Sequence, residues 1–364
     1  MHPIGRFHKM QGVALRLNTQ IRICALKERD KSLFVFSLIL CYTTLMKRFE
    51  ISKNDADQRL DKFITKSVPA LPVNLMYKYI RLKRIKINGK RAQISTRLHC
   101  GDVVEMYIND EFFETAAPDY EFLKAGKQLD IVYEDENLLI LEKRVGLLCH
   151  PDKSEYTDTL IGRVLRYLYE KGDYQPDKEN SFTPSLANRI DRNTGGLVLC
   201  AKNAAALRVL NQKIKDREIR KQYLCIACGN FDVKEKTLTA YLFKDEAKNK
   251  VIVKNKPFPG AKTIVTKYTV LEQKPRFALL EIDLLTGRTH QIRAHLAHIG
   301  HPLLGDGKYS DNKEGKKIGY KKQALYSYKL RFDFSTDADC LAYLNGKEFT
   351  ARHVPLYEDF AALR

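Results

Sequence analysis

A chain of 364 residues has room for two or three domains and at least one substantial core. Hydrophobic residues at 44% and charged residues at 29% exclude a disordered or fibrous protein and fit a soluble globular one. The 63 Lys and Arg against 44 Asp and Glu leave a formal charge of +19 and a pI near 9.4, which favours a polyanionic partner, nucleic acid ahead of a membrane surface. Eight cysteines without a framework spacing point to a reduced, cytoplasmic setting rather than a disulfide scaffold.

Residues 1–45 combine basic residues with an apolar run, 33–45, that is too short to span a bilayer comfortably and has no clean cleavage site after it. The reading is an upstream extension, with Met46 as a natural start; a membrane anchor is the lesser alternative. Residues 46–108 form a compact basic unit. Asn54, Asp55 or Asp57 is placed to cap a helix with Leu60, Phe63 and Ile64 on one face. A second helix spans about 74–82, and Asn88-Gly89 within IKINGKR is a hairpin signal. Gly101-Asp102 then turns into a strand at 103–107. Lys78, Arg81, Lys83, Arg84, Lys86, Lys90 and Arg91 cluster on the second helix and hairpin. Such a run is usually a solvated face, but one sign dominates here and tyrosines (Tyr77, Tyr79) interleave, which suits phosphate contacts and base stacking. This segment resembles the S4-type RNA-binding domain in its RLDKFI opening, its R-x-x-x-I-x-I-N-G-K middle and its G-D-x-V close.

The acidic, proline-punctuated stretch 109–124 reads as a linker, and 125–364 as one larger domain. Short strands at 131–133 and 138–141 flank a turn, and GLLCHP at 146–151 extends the pair. Helices are expected at 158–169, 204–214 and 291–299, and strands at 197–201, 219–228, 251–253, 263–271 and 277–285. Many short strands with few helices indicate α+β on a mixed or antiparallel sheet.

Residues 188–202, NRIDRNTGGLVLCAK, hold the candidate chemistry. Asp191 lies between Arg189 and Arg192, a turn signal follows at 193–196, and an apolar strand carries the chain into the core. An isolated R-x-D-R is most often a structural ion pair. Cys225 and Cys228 form a C-x-x-C, but strand alternation sends them to opposite faces, so they read as buried cysteines rather than zinc ligands. His290, His295, His298 and His301 crowd one segment without the spacing of a helical zinc motif, so no metal is expected. Arg293 in that segment matters only if the fold brings it to Asp191.

Together NRIDRNTGGLVLCAK, RKQYLCIACG and LLTGRTHQIRAHLAHIGHPLLGD resemble the catalytic motifs of RluA-type pseudouridine synthases, in the branch that modifies large-subunit ribosomal RNA. The resemblance, with the S4-type unit, covers nearly all of 46–364. It implies a pseudouridine synthase catalytic domain on a mixed or antiparallel sheet with flanking helices. Asp191 would be the catalytic aspartate, Arg189 would help evict the target nucleotide, Tyr223 would pack against the uracil and Arg293 would pair with the aspartate. The implied partner is RNA, bound by a monomer without a cofactor or stable membrane association. Converting uridine to pseudouridine breaks the N1–C1′ bond, turns the base and joins C5 to C1′. That needs one carboxylate, an aromatic wall and exclusion of water. Asn188, Gly195 and Arg144 depart from the family pattern, where histidine, serine and proline are usual. A noncatalytic RNA-binding or ribosome-assembly factor is the rival reading, and a metal-dependent hydrolase using the histidines a second.

Overall fold

The computed structural model describes residues 46–113, 120–247 and 250–363. The extension 1–45 and the centre of the 109–124 stretch lie outside these residues. The chain divides into two units, the smaller containing 46–51 and 57–113, the larger containing Ser52–Ala56 and the rest.

In the smaller unit, β1 (Lys47–Glu50) precedes α1 (Leu60–Ser67) and α2 (Val73–Arg81), followed by β2 (Ile85–Ile87), β3 (Lys90–Arg91) and β4 (Val103–Met106). The strands form an antiparallel sheet of order β1-β4-β2-β3. Leu60, Phe63 and Ile64 of α1 are fully buried, as the helical spacing requires. Asn88 and Gly89 both take positive φ, at 50° and 72°, the backbone of the expected tight hairpin. Two details differ from the sequence reading. The N-cap of α1 is Arg59, without a side-chain cap, and Asp55 instead accepts hydrogen bonds from Ser52, Asn180 and Ser181. Tyr79 is buried in the core rather than offered for stacking. The intended linker holds two short 3-10 turns, Asp110–Phe112 and Glu121–Lys124.

The larger unit is built on one eleven-stranded sheet. Its elements are β5 (Ile131–Glu134), β6 (Leu138–Lys143), α3 (Leu160–Lys171), β7 (Ser185–Leu186), β8 (Gly195–Ala201), α4 (Ala204–Lys215), β9 (Ile219–Cys228), β10 (Glu235–Asp245), β11 (Lys250–Lys254), β12 (Lys262–Lys274), β13 (Phe277–Leu284), α5 (Gln291–His298), α6 (Lys313–Lys317), β14 (Leu325–Phe332), β15 (Glu348–Thr350) and α7 (Pro355–Ala362). The order is β11-β10-β12-β13-β9-β14-β8-β6-β5, with β15 beside β14 and β7 beside β8. Every pairing is antiparallel except β14 with β8, so the expected α+β class with a mixed sheet holds. Leu139, Leu141, Val198 and Cys225 face one core, and Leu138, Ile140, Leu197 and Leu199 another, because strand residues alternate between faces. Cys225 and Cys228 face opposite sides, as their odd spacing demands. The 146–151 segment is not a strand; it makes only an isolated bridge from Leu148 to Thr159.

The glycine pair has a cause beyond its backbone angles. The turn spans Asp191–Thr194, closed by Thr194 N–H to the Asp191 carbonyl at 3.0 Å, and Gly195 and Gly196 already belong to β8. A Cβ on Gly196 would lie 2.0 Å from the Ser327 carbonyl, and one on Gly195 would lie 2.4 Å from the Tyr326 ring. Gly196 takes φ 109°, a backbone angle other residues resist, and the close approach of β14 is a second, independent reason for glycine at both positions.

Candidate active site

Four segments converge on a cleft of about 510 Å³ within the larger unit, lined by Cys149, Arg189, Asp191, Tyr223, His290 and Arg293 among others. Asp191 opens the turn that leads into β8. The backbone next to it is fastened from behind by Lys143 at the end of β6. Lys143 is fully buried, and its ammonium donates to the carbonyls of Arg144, Leu147 and Arg192 at 3.0, 2.7 and 3.1 Å. Three donors meet three acceptors. Burial pushes its pKa down to about 8, with nearby Cys149 and Asp191 pulling the other way. Cys149 completes the clamp by donating its thiol to the Ile190 carbonyl.

Arg293, on α5, reaches Asp191 as the sequence reading required. Its Nη1 donates to Asp191 Oδ2 at 2.8 Å, while Nε and Nη2 grip both oxygens of Asp306 at 2.7 and 2.9 Å. Burial works against the Arg293 charge, but the hydrogen bonds and charges of Asp306 and then Asp191 outweigh it and hold its pKa above the ordinary value. Burial alone would raise the Asp306 carboxyl; Arg293 and the backbone N–H groups of Lys308 and Tyr309 hold it below the usual carboxylate range. Asp191 therefore faces the cleft as one end of an Asp–Arg–Asp chain, its side chain 29% exposed.

Tyr223, on β9, is buried in the cleft wall, and burial pushes its hydroxyl up to about 12, so it stays a neutral aromatic surface at physiological pH. Lys221 lies two residues earlier on the same face and also lines the cleft; burial lowers its pKa, and it has no carboxylate partner among the described residues. Arg189 is exposed at the cleft. Arg192 is exposed too, but its guanidinium bridges the Gly146 carbonyl and the Ser154 hydroxyl, each at 3.1 Å.

The histidine-rich segment disperses. His290 sits beside Asp191, His295 is buried against Thr266, His298 meets Asn255 and His301 stacks on Phe231. Among the described residues no three His, Cys, Asp or Glu converge as metal ligands. Of the departures, Asn188 accepts from the Leu199 N–H with its carbonyl oxygen while its Nδ2 is buried without a hydrogen-bond partner among the described residues, Tyr326 fills the space beside Gly195, and Arg144 pairs with Asp130. Sequence reasoning missed Lys143, Asp306 and Tyr309 as parts of this site. Asp306 was visible in LLGD thirteen residues after Arg293, but only the chain reversal after α5 joins them.

In the smaller unit, Lys78, Arg81, Lys83, Arg84, Lys90 and Arg91 are exposed and Lys86 partly so. No ion pair with a carboxylate involves any of the seven among the described residues, although Arg84 lies over the Tyr79 ring and Lys86 over that of Tyr107.

A chemically coherent site thus lies in one cleft: a fixed carboxylate, an apolar wall and a positively charged mouth. Residues 137–298 match the RNA pseudouridylate synthase family model and residues 58–104 the S4 domain model. An uncharacterised RNA pseudouridine synthase of Mycoplasma genitalium is 36% identical over 296 residues, 79% of this chain and 90% of that protein. Ribosomal large subunit pseudouridine synthase C of Vibrio cholerae is 30% identical over 296 residues, 79% and 89% of the two chains. The structure of human RNA pseudouridylate synthase domain containing 4 aligns with 61% of this chain and 88% of that one, with 22% identity and a TM-score of 0.48. The chain, which joins an S4 domain to a pseudouridine synthase domain, belongs to the RluA-type RNA pseudouridine synthases.

Proposed function

We propose that this enzyme isomerises specific uridines of large-subunit ribosomal RNA, with Asp191 as its catalytic carboxylate. The observation that carries the reading is the Asp191–Arg293 contact of 2.8 Å inside a cleft walled by Tyr223. Arg293 holds the carboxylate aimed into the cleft; Tyr223 packs against the detached uracil, and water exclusion protects the bond-exchange intermediate. Arg189 and Arg192 contact the extruded nucleotide and its flanking phosphates, offsetting the few kcal/mol that unstacking costs. The S4-type domain, 46–108, binds RNA through Lys78, Arg81, Lys83, Arg84, Lys86, Lys90 and Arg91, and 109–124 links it to the catalytic domain, 125–364. The enzyme acts as a monomer in the cytoplasm; among the described residues no helix is long and apolar enough to cross a membrane.

The test is a pseudouridine map of ribosomal RNA from cells with and without the gene, paired with Asp191→Asn in vitro. Loss of one or a few positions in the large-subunit RNA supports the target. Asp191→Asn should keep RNA affinity within about twofold while losing all measurable isomerisation, since size is conserved and the carboxylate is not. Pseudouridine formed by that variant would remove Asp191 from its role.

A further inference from the structure

His290 precedes α5 in a left-handed backbone conformation, φ 53°, and lines the cleft. Its ring meets that of Tyr309 edge-on at 5.7 Å, and its Nδ1 lies 2.6 Å from the Tyr309 hydroxyl. The Tyr309 oxygen accepts the backbone N–H of Val251 on β11, at 3.3 Å. Its hydroxyl has one proton to donate, and His290 Nδ1 is the acceptor within hydrogen-bond reach among the described residues. A neutral imidazole that accepts at Nδ1 carries its proton on Nε2. The ring is neutral at physiological pH because burial pushes its pKa down to about 4, against the opposing pull of the Asp191 charge.

Nε2 lies 3.8 Å from Asp191 Oδ2, too far for a hydrogen bond, and has no other hydrogen-bond partner among the described residues. An oriented N–H donor thus stands unused beside the carboxylate, with only 12% of its side chain exposed. Low exposure makes such a donor more effective on developing charge than it would be in water. When the N1–C1′ bond breaks, the departing uracil holds the electron pair, spread over N1 and its carbonyl oxygens.

We propose that His290 is a catalytic hydrogen-bond donor, its Nε2–H directed at a carbonyl oxygen of the target uracil, and that Tyr309 is the positioning residue that fixes its tautomer. The donor role rests on the proposed function. No proton is transferred: the N–H bond remains intact while the oxygen it faces gains negative charge. Because Tyr309 is itself held by Val251, the β10–β11 hairpin sets the donor's direction, although Val251 touches nothing that reacts.

The test has a spectroscopic arm on the free protein and a kinetic arm on RNA. With 15N-imidazole labelling at pH 7, the resonances that vanish in His290→Gln should report protonated Nε2 and unprotonated Nδ1. In Tyr309→Phe the same resonances should move toward a mixture of tautomers. In single turnovers on a pseudouridine-containing RNA region prepared unmodified, Tyr309→Phe should slow the chemical step about tenfold with RNA affinity unchanged. His290→Met should slow it about a hundredfold, and His290→Gln, whose amide carries an N–H near Nε2, should recover most of that loss. A wild-type spectrum with the proton on Nδ1, a Tyr309→Phe spectrum identical to wild type, or His290→Met at the wild-type rate each overturns the inference. Failure of wild-type protein to make pseudouridine in any RNA would instead overturn the functional reading, and the donor role with it, while the tautomer would still be read from the free protein.

Discussion

Asp306 is the residue on which the Asp191–Arg293 pair depends without lining the cleft. Its side chain is 1% exposed and accepts two of the three hydrogen bonds that Arg293 donates to carboxylates. A buried guanidinium deprived of one carboxylate keeps its charge but loses the compensation for desolvation. Asp306→Ala should therefore destabilise the protein by about 3–5 kcal/mol, the range for breaking a buried pair, read from urea unfolding midpoints. Loss below about 1 kcal/mol would mean that Asp191 alone suffices to hold Arg293. Legibility at this scale was uneven. Asp191 and Arg293 could be named from their motifs, because each motif is contiguous. The partner that orders them could not, since GHPLLGD gives no sign that its aspartate turns back onto α5. The glycine pair was legible for its backbone angles, which Gly196 takes at φ 109°, but not for the close approach of Tyr326 and Ser327, about 130 residues away.

At the scale of elements, alternation and periodicity marked what is regular. The strand at 219–228 and the helix start at Ala204 were legible to the residue, and α5 within one. Two interior strands were not: β10 and β14 went unmarked, β14 because its LYSYKLRF mixes tyrosines and charges and lies between β9 and β8, far away in sequence. Helix α5 is buried from Gln291 through Leu296, with charged and polar residues among them, and its histidine has a consequence for acid stability. His295 is 1% exposed with Nδ1 3.0 Å from the Thr266 hydroxyl. Burial, with a smaller contribution from His298, pushes its pKa down to about 4 from an ordinary 6.5. Above pH 6.5 the ring is neutral in both folded and unfolded chains and adds no pH dependence. Between 6.5 and 4 only the unfolded chain takes the proton, so stability falls with pH. It levels off once the folded ring protonates as well. The window is worth on the order of 3 kcal/mol. His295→Gln, which keeps a polar group for Thr266, should lose less stability than wild type between pH 7 and 4.5 by roughly that amount. Urea midpoints at pH 7, 5.5 and 4.5 measure it, and parallel curves for the two proteins would show that His295 does not titrate with folding.

For the molecule as a whole, the charge of +19 announced a polyanionic partner but not where it is met. The fold answers part of this. Lys143, Lys202 and Lys213 are used internally, the first on carbonyls and the others on carboxylates, so they hold structure and are not offered outward. The seven basic residues of the smaller unit have no such use. Each one that meets a phosphate displaces a condensed counterion, so the logarithm of RNA affinity falls with the logarithm of salt in proportion to their number, by about 0.7–0.9 per contact. Lys78→Gln, Arg81→Gln and Lys83→Gln together should flatten that slope by roughly 2 and weaken binding mainly at low salt. The chemical step at saturating RNA should remain at the wild-type rate, because none of the three belongs to the cleft. Glutamine is preferred to alanine because it keeps the length of each side chain while removing only the charge. Asp191→Asn supplies the opposite control: it should stop isomerisation and leave the salt slope alone. A triple variant whose slope matches wild type would mean that this face is merely solvated, and that RNA is gripped at the mouth of the cleft by Arg189, Arg192 and Lys221.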